Sequence, residues 1–303
     1  MRRFGKWLGR LLLALVLAAV VVGLWKREEI TRLLAVNSLF SAEKIVSNFS
    51  HMDAAFLTTP VPRGNGPTTA LDYGPETTLP SQVNQWITDR AVTALVVLKD
   101  GDIVYENYFQ GTGPDDLRIS WSVAKSYLSA LVGILLDEGK IASLDDPVTQ
   151  YAPQLKGSAY DGATLRNVLQ MSSGVTFDED YLDKNSDINR MERSPYYVTD
   201  GVGTAFVLGG LNLTTRDYAR FAQMFAQGGE WQGQQIVPAA WVAASTAASA
   251  PTAPGKIGYG YQWWIPQRAA PGEYMARGVY GQYLYIDTAR NVVIATNAAD
   301  RKF

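Results

Sequence analysis

Strand-forming residues are concentrated at the two ends of this chain's main body, and that distribution restricts the fold more than any other feature. Thr93–Leu98 and Ile103–Phe109 are rich in β-branched and aromatic residues and flank Lys99-Asp-Gly-Asp102, a hairpin signal. Comparable runs return only at Tyr259–Ile265, Glu273–Tyr280, Tyr283–Asp287 and Val292–Thr296. The residues between the two groups read as helix or loop. An early hairpin and late strands can share one antiparallel sheet, with the middle of the chain folded beside it. The expected class is therefore α+β, an antiparallel sheet flanked by helices.

The helical signals are local. From Trp121 to Glu138, the residues Leu128, Leu131, Val132, Leu135 and Leu136 recur at three- and four-residue spacing, and Gly139 supplies a C-terminal cap. Thr214-Thr-Arg-Asp217 reads as a capping box before Phe221, Met224 and Phe225, with Gly228-Gly229 as the stop. Ser81 is placed to cap a short helix with Val83, Trp86 and Ile87 on one face. Residues 58–80 hold five prolines and three glycines, an irregular surface connector.

At the N-terminus Arg2, Arg3, Lys6 and Arg10 precede the apolar run Leu11–Trp25, and Lys26 and Arg27 follow it. The run ends in Val-Gly-Leu-Trp and then charge rather than in the small residues of a cleavage site, so an uncleaved anchor is expected. The division that follows is an anchor over residues 1–27, a juxtamembrane segment and connector over 28–80, and the main domain over 81–303. The expected location is the inner membrane, with the main domain on the periplasmic or extracellular side.

Composition removes several chemistries. There is no cysteine, which excludes disulfides, thiol nucleophiles and thiolate metal sites, and a single histidine, His51, in a stretch that reads as structural. A net charge of −2 gives no basic footprint for nucleic acid. A serine nucleophile here needs a base other than histidine. Ser122-Val-Ala-Lys125 offers one, a lysine one helical turn from a serine at a helix start. The Ser122 N–H has no intrahelical acceptor there and is free for a developing oxyanion. A lysine acts as a base near neutrality only where apolar surroundings remove water from its amine. The same spacing at Ser41-Ala-Glu-Lys44 has a glutamate that favours the charged lysine. From pattern alone, Ser122 reads equally as an N-cap with Lys125 on a solvated helix face.

Longer segments separate these readings. Trp121-Ser-Val-Ala-Lys-Ser126, Gly139-Lys-Ile-Ala-Ser-Leu-Asp-Asp-Pro-Val148 and Thr164-Leu-Arg-Asn-Val-Leu-Gln-Met-Ser-Ser-Gly174 resemble the serine β-lactamase-related hydrolases. That superfamily includes class C β-lactamases, penicillin-binding proteins and related esterases. The 6-aminohexanoate-dimer hydrolase-like branch is resembled more closely. This closer likeness lies in Asn48-Phe-Ser-His-Met-Asp-Ala-Ala-Phe56, Asp178-Glu-Asp-Tyr181, Gly209 to Phe221, Gly258 to Trp264 and Gly278-Val-Tyr-Gly-Gln282. The resemblance implies a β-lactamase-like fold and no metal or cofactor. It implies Ser122 as the acylated nucleophile and Lys125 as base or proton relay. It also implies an oxyanion hole made by the N–H groups of Ser122 and Val279. Ala276-Arg-Gly278 resembles the family's Lys-Thr-Gly or His-x-Gly element, with Gly278 admitting substrate and Arg277 available to a substrate carboxylate. Tyr181 matches a substrate-contacting position. Tyr261, Trp263 and Trp264 read as sheet and core aromatics.

The chain departs from the family pattern in one place. A third catalytic element, carrying a tyrosine, belongs between the Ser-Ser-Gly and Gly-Gly-Leu segments, but only 34 residues separate Gly174 from Gly209. Tyr181, Tyr196 and Tyr197 lie in this interval, and none has asparagine two positions later. The junction falls around Arg193-Ser-Pro195, which implies a shortened helical subdomain. Two functions are consistent with this. One is a membrane-anchored serine hydrolase acting on a small amide or ester, with Tyr196 or Tyr197 recruited or Lys125 acting alone. The other is a catalytically impaired relative that serves as a cell-envelope binding protein.

Overall fold

β1 (Val92–Lys99) and β2 (Asp102–Tyr108) form the expected hairpin. Asp100 and Gly101 adopt φ of 55° and 95°, the left-handed pair that a tight two-residue turn requires. The chain is known from a computed structural model that describes residues 2–62, 65–66, 68–176 and 207–302. Short ladders follow between β3 (Arg118–Ile119) and β4 (Asn212–Leu213), and between β5 (Glu230–Trp231) and β6 (Gln234–Gln235). The C-terminal strands are β7 (Gly258–Tyr259), β8 (Trp264–Ile265), β9 (Glu273–Gly278), β10 (Gln282–Asp287) and β11 (Val292–Ala298). They join the hairpin in one antiparallel sheet of order β2-β1-β11-β10-β9-β8-β7. The α+β class follows directly.

Two of the expected strands differ from the structure. Tyr259–Ile265 is not one strand but β7 and β8 joined by a turn, in which Gln262 takes φ of 66°. Position 260 must be glycine, because a Cβ there would collide with the backbone carbonyls of Ser245 and Ala247. The strand predicted over Glu273–Tyr280 ends at Gly278, since Tyr280 and Gly281 are left-handed and close the β9–β10 loop.

The helices are α1 (Arg2–Trp25), α2 (Arg27–Asn37), α3 (Ile45–Asn48), α4 (Met52–Ala55) and α5 (Ser81–Asp89). After the hairpin come α6 (Ala124–Asp137), α7 (Val148–Tyr151), α8 (Leu165–Leu169), α9 (Thr215–Ala226) and α10 (Ala239–Ser245). The Thr214 side chain accepts from the Asp217 N–H and caps α9 as its sequence predicts. Ser81 instead lies inside α5, which starts after Pro80 without a side-chain cap. α6 is preceded by a 3₁₀ turn over Trp121–Val123, and Gly139 ends it with φ of 69°. Leu11 to Trp25 of α1 are almost all exposed. Among the described residues no single helix is long and apolar enough to cross a membrane. Gly9–Trp25 and α2 meet that test only as a pair bent by 74°.

One face of the sheet packs on α6, α9 and α10 through Val96, Leu98, Tyr218, Phe225, Trp241, Trp263 and Ile286. The opposite face is partly covered by α5 through Ile87, against Val92, Leu95, Val97 and Val104. None of the α6 leucines is fully buried, although Leu136 packs against the core. The buried residues of the helix are Ala124, Ser126, Ser129, Ala130 and Gly133, while Leu131 is 56% exposed. The reason is the close approach of α10: a Cβ on Gly133 would fall inside the Trp241 indole. Gly133→Ala is therefore expected to lower stability by about 2 kcal/mol despite alanine's better helix propensity. Denaturant unfolding measures this; a stabilised variant would contradict the packing.

A charged cluster fastens α9 to the hairpin. Arg216 donates to both oxygens of Glu106, Nε to Oε1 at 2.6 Å and Nη2 to Oε2 at 2.8 Å, and the hydroxyls of Tyr73 and Tyr108 donate to the same carboxylate. Burial by itself raises the Glu106 pKa, but the bonds from Arg216, Tyr108 and Tyr73 outweigh it and hold the carboxyl below its ordinary value. Its stabilising contribution is thus complete above the unfolded-state pKa of about 4.3 and is lost as pH falls through the folded value. Glu106→Gln is expected to lower stability by about 2 kcal/mol at neutral pH. It should also flatten the fall in melting temperature between about pH 5 and about pH 3. Thermal unfolding across that range reads both effects.

Candidate active site

Ser122 sits in the middle of the 3₁₀ turn that feeds α6, and Lys125 lies on the first turn of the helix. Both are half-buried. The turn is held from three sides. β3 pairs with β4, and the Ser120 N–H donates to the Leu211 carbonyl at 2.8 Å. The Tyr218 hydroxyl, on α9, donates to the Arg118 carbonyl at 2.7 Å. One residue beyond Lys125, Ser126 Oγ donates to the Gln262 carbonyl at 2.7 Å and ties α6 to the β7–β8 turn.

β9 closes the other side. A Cβ built on Gly278 would lie 2.6 Å from the Ser120 carbonyl oxygen and 3.1 Å from the Ser122 nitrogen, so only glycine permits this approach. The β9–β10 loop that follows is fixed by Gln282, which is 2% exposed. Its amide donates to the carbonyls of Ala298 at 2.8 Å and Tyr280 at 3.2 Å, and its oxygen accepts from Asn297 Nδ2 at 2.9 Å. With the Tyr280 carbonyl turned inward, Val279 lies on the cavity wall. The N–H groups of Ser122 and Val279 have no acceptor among the described residues. The site thus has two unpaired backbone donors at the edge of one cavity, beside a serine at a helix start.

That cavity has a volume of about 660 Å³ and is lined by Ser122, Lys125, Arg277, Gly278 and Val279, five of the six expected site residues. The sixth, Tyr181, lies outside the described residues, as do Tyr196 and Tyr197. The Arg277 guanidinium lies 5.1 Å from the Trp264 ring centre and 5.7 Å from that of Tyr283. It forms no ion pair with any described carboxylate. Trp263 is fully buried and Tyr261 nearly so, as core aromatics should be, and Trp264 is a sheet residue on β8 that also lines the cavity. His51 is exposed and bonded to the Ser47 carbonyl, and neither it nor the Ser41/Lys44 pair lines the cavity.

Sequence reasoning did not single out Ser172, Lys256, Tyr259, Gln262 or Tyr283, all on the cavity wall. Gln262 carried the strongest signal, since Gly-Tyr-Gly-Tyr-Gln places two glycines beside it. Its side chain donates to the Leu169 carbonyl at 2.9 Å and accepts from the Tyr259 hydroxyl at 2.8 Å. Among the described residues no tyrosine hydroxyl is hydrogen-bonded to Ser122.

Known proteins share sequence and fold with this chain. The β-lactamase family model matches residues 83–194. The 6-aminohexanoate-dimer hydrolase of Paenarthrobacter ureafaciens is 26% identical over 290 residues, covering 70% of this chain and 74% of the relative. The alignment is several dozen positions longer than the part of this chain it uses, so the relative contains that many residues without counterpart here. Among solved structures, a 6-aminohexanoate-dimer hydrolase-like protein from Bacillus anthracis superposes with a TM-score of 0.71 at 21% identity, covering 86% of this chain and 90% of that one. A class C β-lactamase gives a TM-score of 0.54 at 15% identity, covering 73% and 90%. In sequence and in fold, this chain is thus similar to the serine β-lactamase-related superfamily of hydrolases.

Proposed function

We propose that the protein is a serine hydrolase that cleaves an amide or ester through an acyl-serine intermediate. The observation that carries this reading is the convergence of Ser122, Lys125 and Val279 on one cavity. In the proposed cycle the Lys125 amine takes the Ser122 proton as Oγ attacks the substrate carbonyl. The resulting oxyanion accepts from the Ser122 and Val279 N–H groups. Collapse breaks the carbonyl bond to the leaving amine or alkoxide, which takes the proton from the Lys125 ammonium. Water then repeats the sequence on the acyl-serine and releases the acid. Arg277, held between Trp264 and Tyr283 and paired with no carboxylate among the described residues, is positioned to attract an anionic group on the substrate. Tyr181 is the further substrate contact we propose. The test is hydrolysis of a panel of p-nitrophenyl esters and nitrocefin by folded protein. Measurable turnover supports the reading, and none across the panel contradicts it.

The shortening relative to the Paenarthrobacter protein favours a second reading, an impaired relative that binds an envelope ligand without turning it over. On that reading Ser122→Ala leaves ligand affinity unchanged and no substrate is consumed.

We further propose that α1 anchors the protein in the inner membrane, with the catalytic domain on the periplasmic or extracellular face. The exposed apolar surface of Leu11–Trp25 and the basic residues on either side of it support this. The full chain should sediment with membranes in carbonate wash, and a chain lacking residues 1–27 should not; full-length protein in the soluble fraction would contradict the anchor.

A further inference from the structure

The two oxyanion donors lie on separate pieces of chain, the 3₁₀ turn and the β9–β10 loop, and each has a bulky aromatic neighbour. Trp121 precedes Ser122 and Tyr280 follows Val279. Both take left-handed backbone, with φ of 43° and 61°. For large side chains this costs about 1–3 kcal/mol each and persists only where the surroundings enforce it. The surroundings are aromatic. The Trp121 and Tyr280 rings lie 5.3 Å apart. Phe49 meets both edge-on at 5.4 Å, and Phe40 stacks on them at 6.1 Å and 5.3 Å.

Backbone bonds tie the same segment to the nucleophile strand. The Ile119 N–H donates to the Phe49 carbonyl at 3.1 Å. Buried Arg118 donates through Nη1 to the Val46 carbonyl at 2.8 Å and to Ser50 Oγ at 2.5 Å. From these contacts we infer that Phe40 and Phe49 are positioning residues for the oxyanion hole, so that the segment after α2 belongs to the catalytic device and is more than a tether to the N-terminal helices. The ring cluster sets the Trp121 and Tyr280 backbones, and those set the directions of the two N–H groups. Gly278 leaves no slack between the pieces, so a small rotation of either residue separates the donors.

This inference rests on the acyl-serine reading. Phe40 suits a test because it is 42% exposed, whereas Phe49 is fully buried. In the full-length protein, Phe40→Ala is expected to lower kcat for a p-nitrophenyl ester about tenfold with KM nearly unchanged. Affinity for phenylboronic acid should fall by a similar factor. Its boron bonds to Ser122 Oγ as the proton passes to Lys125, and the tetrahedral adduct places an oxygen in the oxyanion hole. Phe40→Tyr should restore both values, and Phe49→Leu should reproduce the loss in protein that still melts cooperatively. Wild-type kcat and boronate affinity in folded Phe40→Ala and Phe49→Leu would overturn this inference alone. Wild-type protein that neither turns over ester nor binds the boronate would overturn the acyl-serine reading, and this inference with it.

Discussion

Ser122→Ala is expected to reduce ester or amide turnover by about 10³-fold or more while leaving the fold intact. Ser122 is half-buried and makes no side-chain hydrogen bond to another described residue, so loss of its hydroxyl removes little stability. Lys125→Ala should be nearly as damaging. Without the amine, Oγ–H must lose its proton to water, and the leaving group must find another donor. The informative comparison is the double variant. Groups that act as one unit are not additive, so Ser122→Ala/Lys125→Ala should be no slower than Ser122→Ala alone. Steady-state kinetics on the three variants checks this. Independent, multiplying losses would mean that Lys125 acts on the substrate rather than on Ser122.

The second large effect is expected at Gly278. The Cβ of alanine would press on the Ser120 carbonyl oxygen and the Ser122 nitrogen, at 2.6 Å and 3.1 Å, and backbone on both sides limits relief. β9 must move away from the nucleophile turn, which carries the Val279 N–H away from the Ser122 N–H. Removing one oxyanion donor costs about 10²–10³-fold in rate in other hydrolases, and Gly278→Ala should cost about 10²-fold in kcat/KM. Overpacking should also lower stability by about 1–3 kcal/mol. Kinetics and thermal unfolding on one preparation separate the two effects. A variant with normal kcat/KM would show that β9 does not form part of the oxyanion hole.

The parts of this protein that were legible in its sequence are those set by neighbouring residues. Asp100-Gly101 specifies its turn because the left-handed pair is a local requirement, and Thr214 caps α9 because its partner Asp217 is three residues away. Ser122 and Lys125 are one helical turn apart, so their shared face follows from helix geometry. What could not be read arises from contacts between distant segments. The buried face of α6 is decided by Trp241, more than one hundred residues on, which requires Gly133. Gln282 falls between two expected strands, and its role in shaping the β9–β10 loop depends on Asn297 and Ala298. Phe40 and Phe49 read as part of a tether until the fold sets them on Trp121 and Tyr280.

The central claim is that Ser122 is a nucleophile activated within this cavity. Treatment of the folded full-length protein with a fluorophosphonate tests it most directly, read by intact mass and by mapping the modified peptide. Attack of Ser122 Oγ on phosphorus expels fluoride and leaves one phosphonyl group on the serine. The account predicts a single adduct on the peptide containing Ser122, absent in Ser122→Ala and slowed by Lys125→Ala. No adduct, or one carried by another serine while Ser122 stays unmodified, would contradict it.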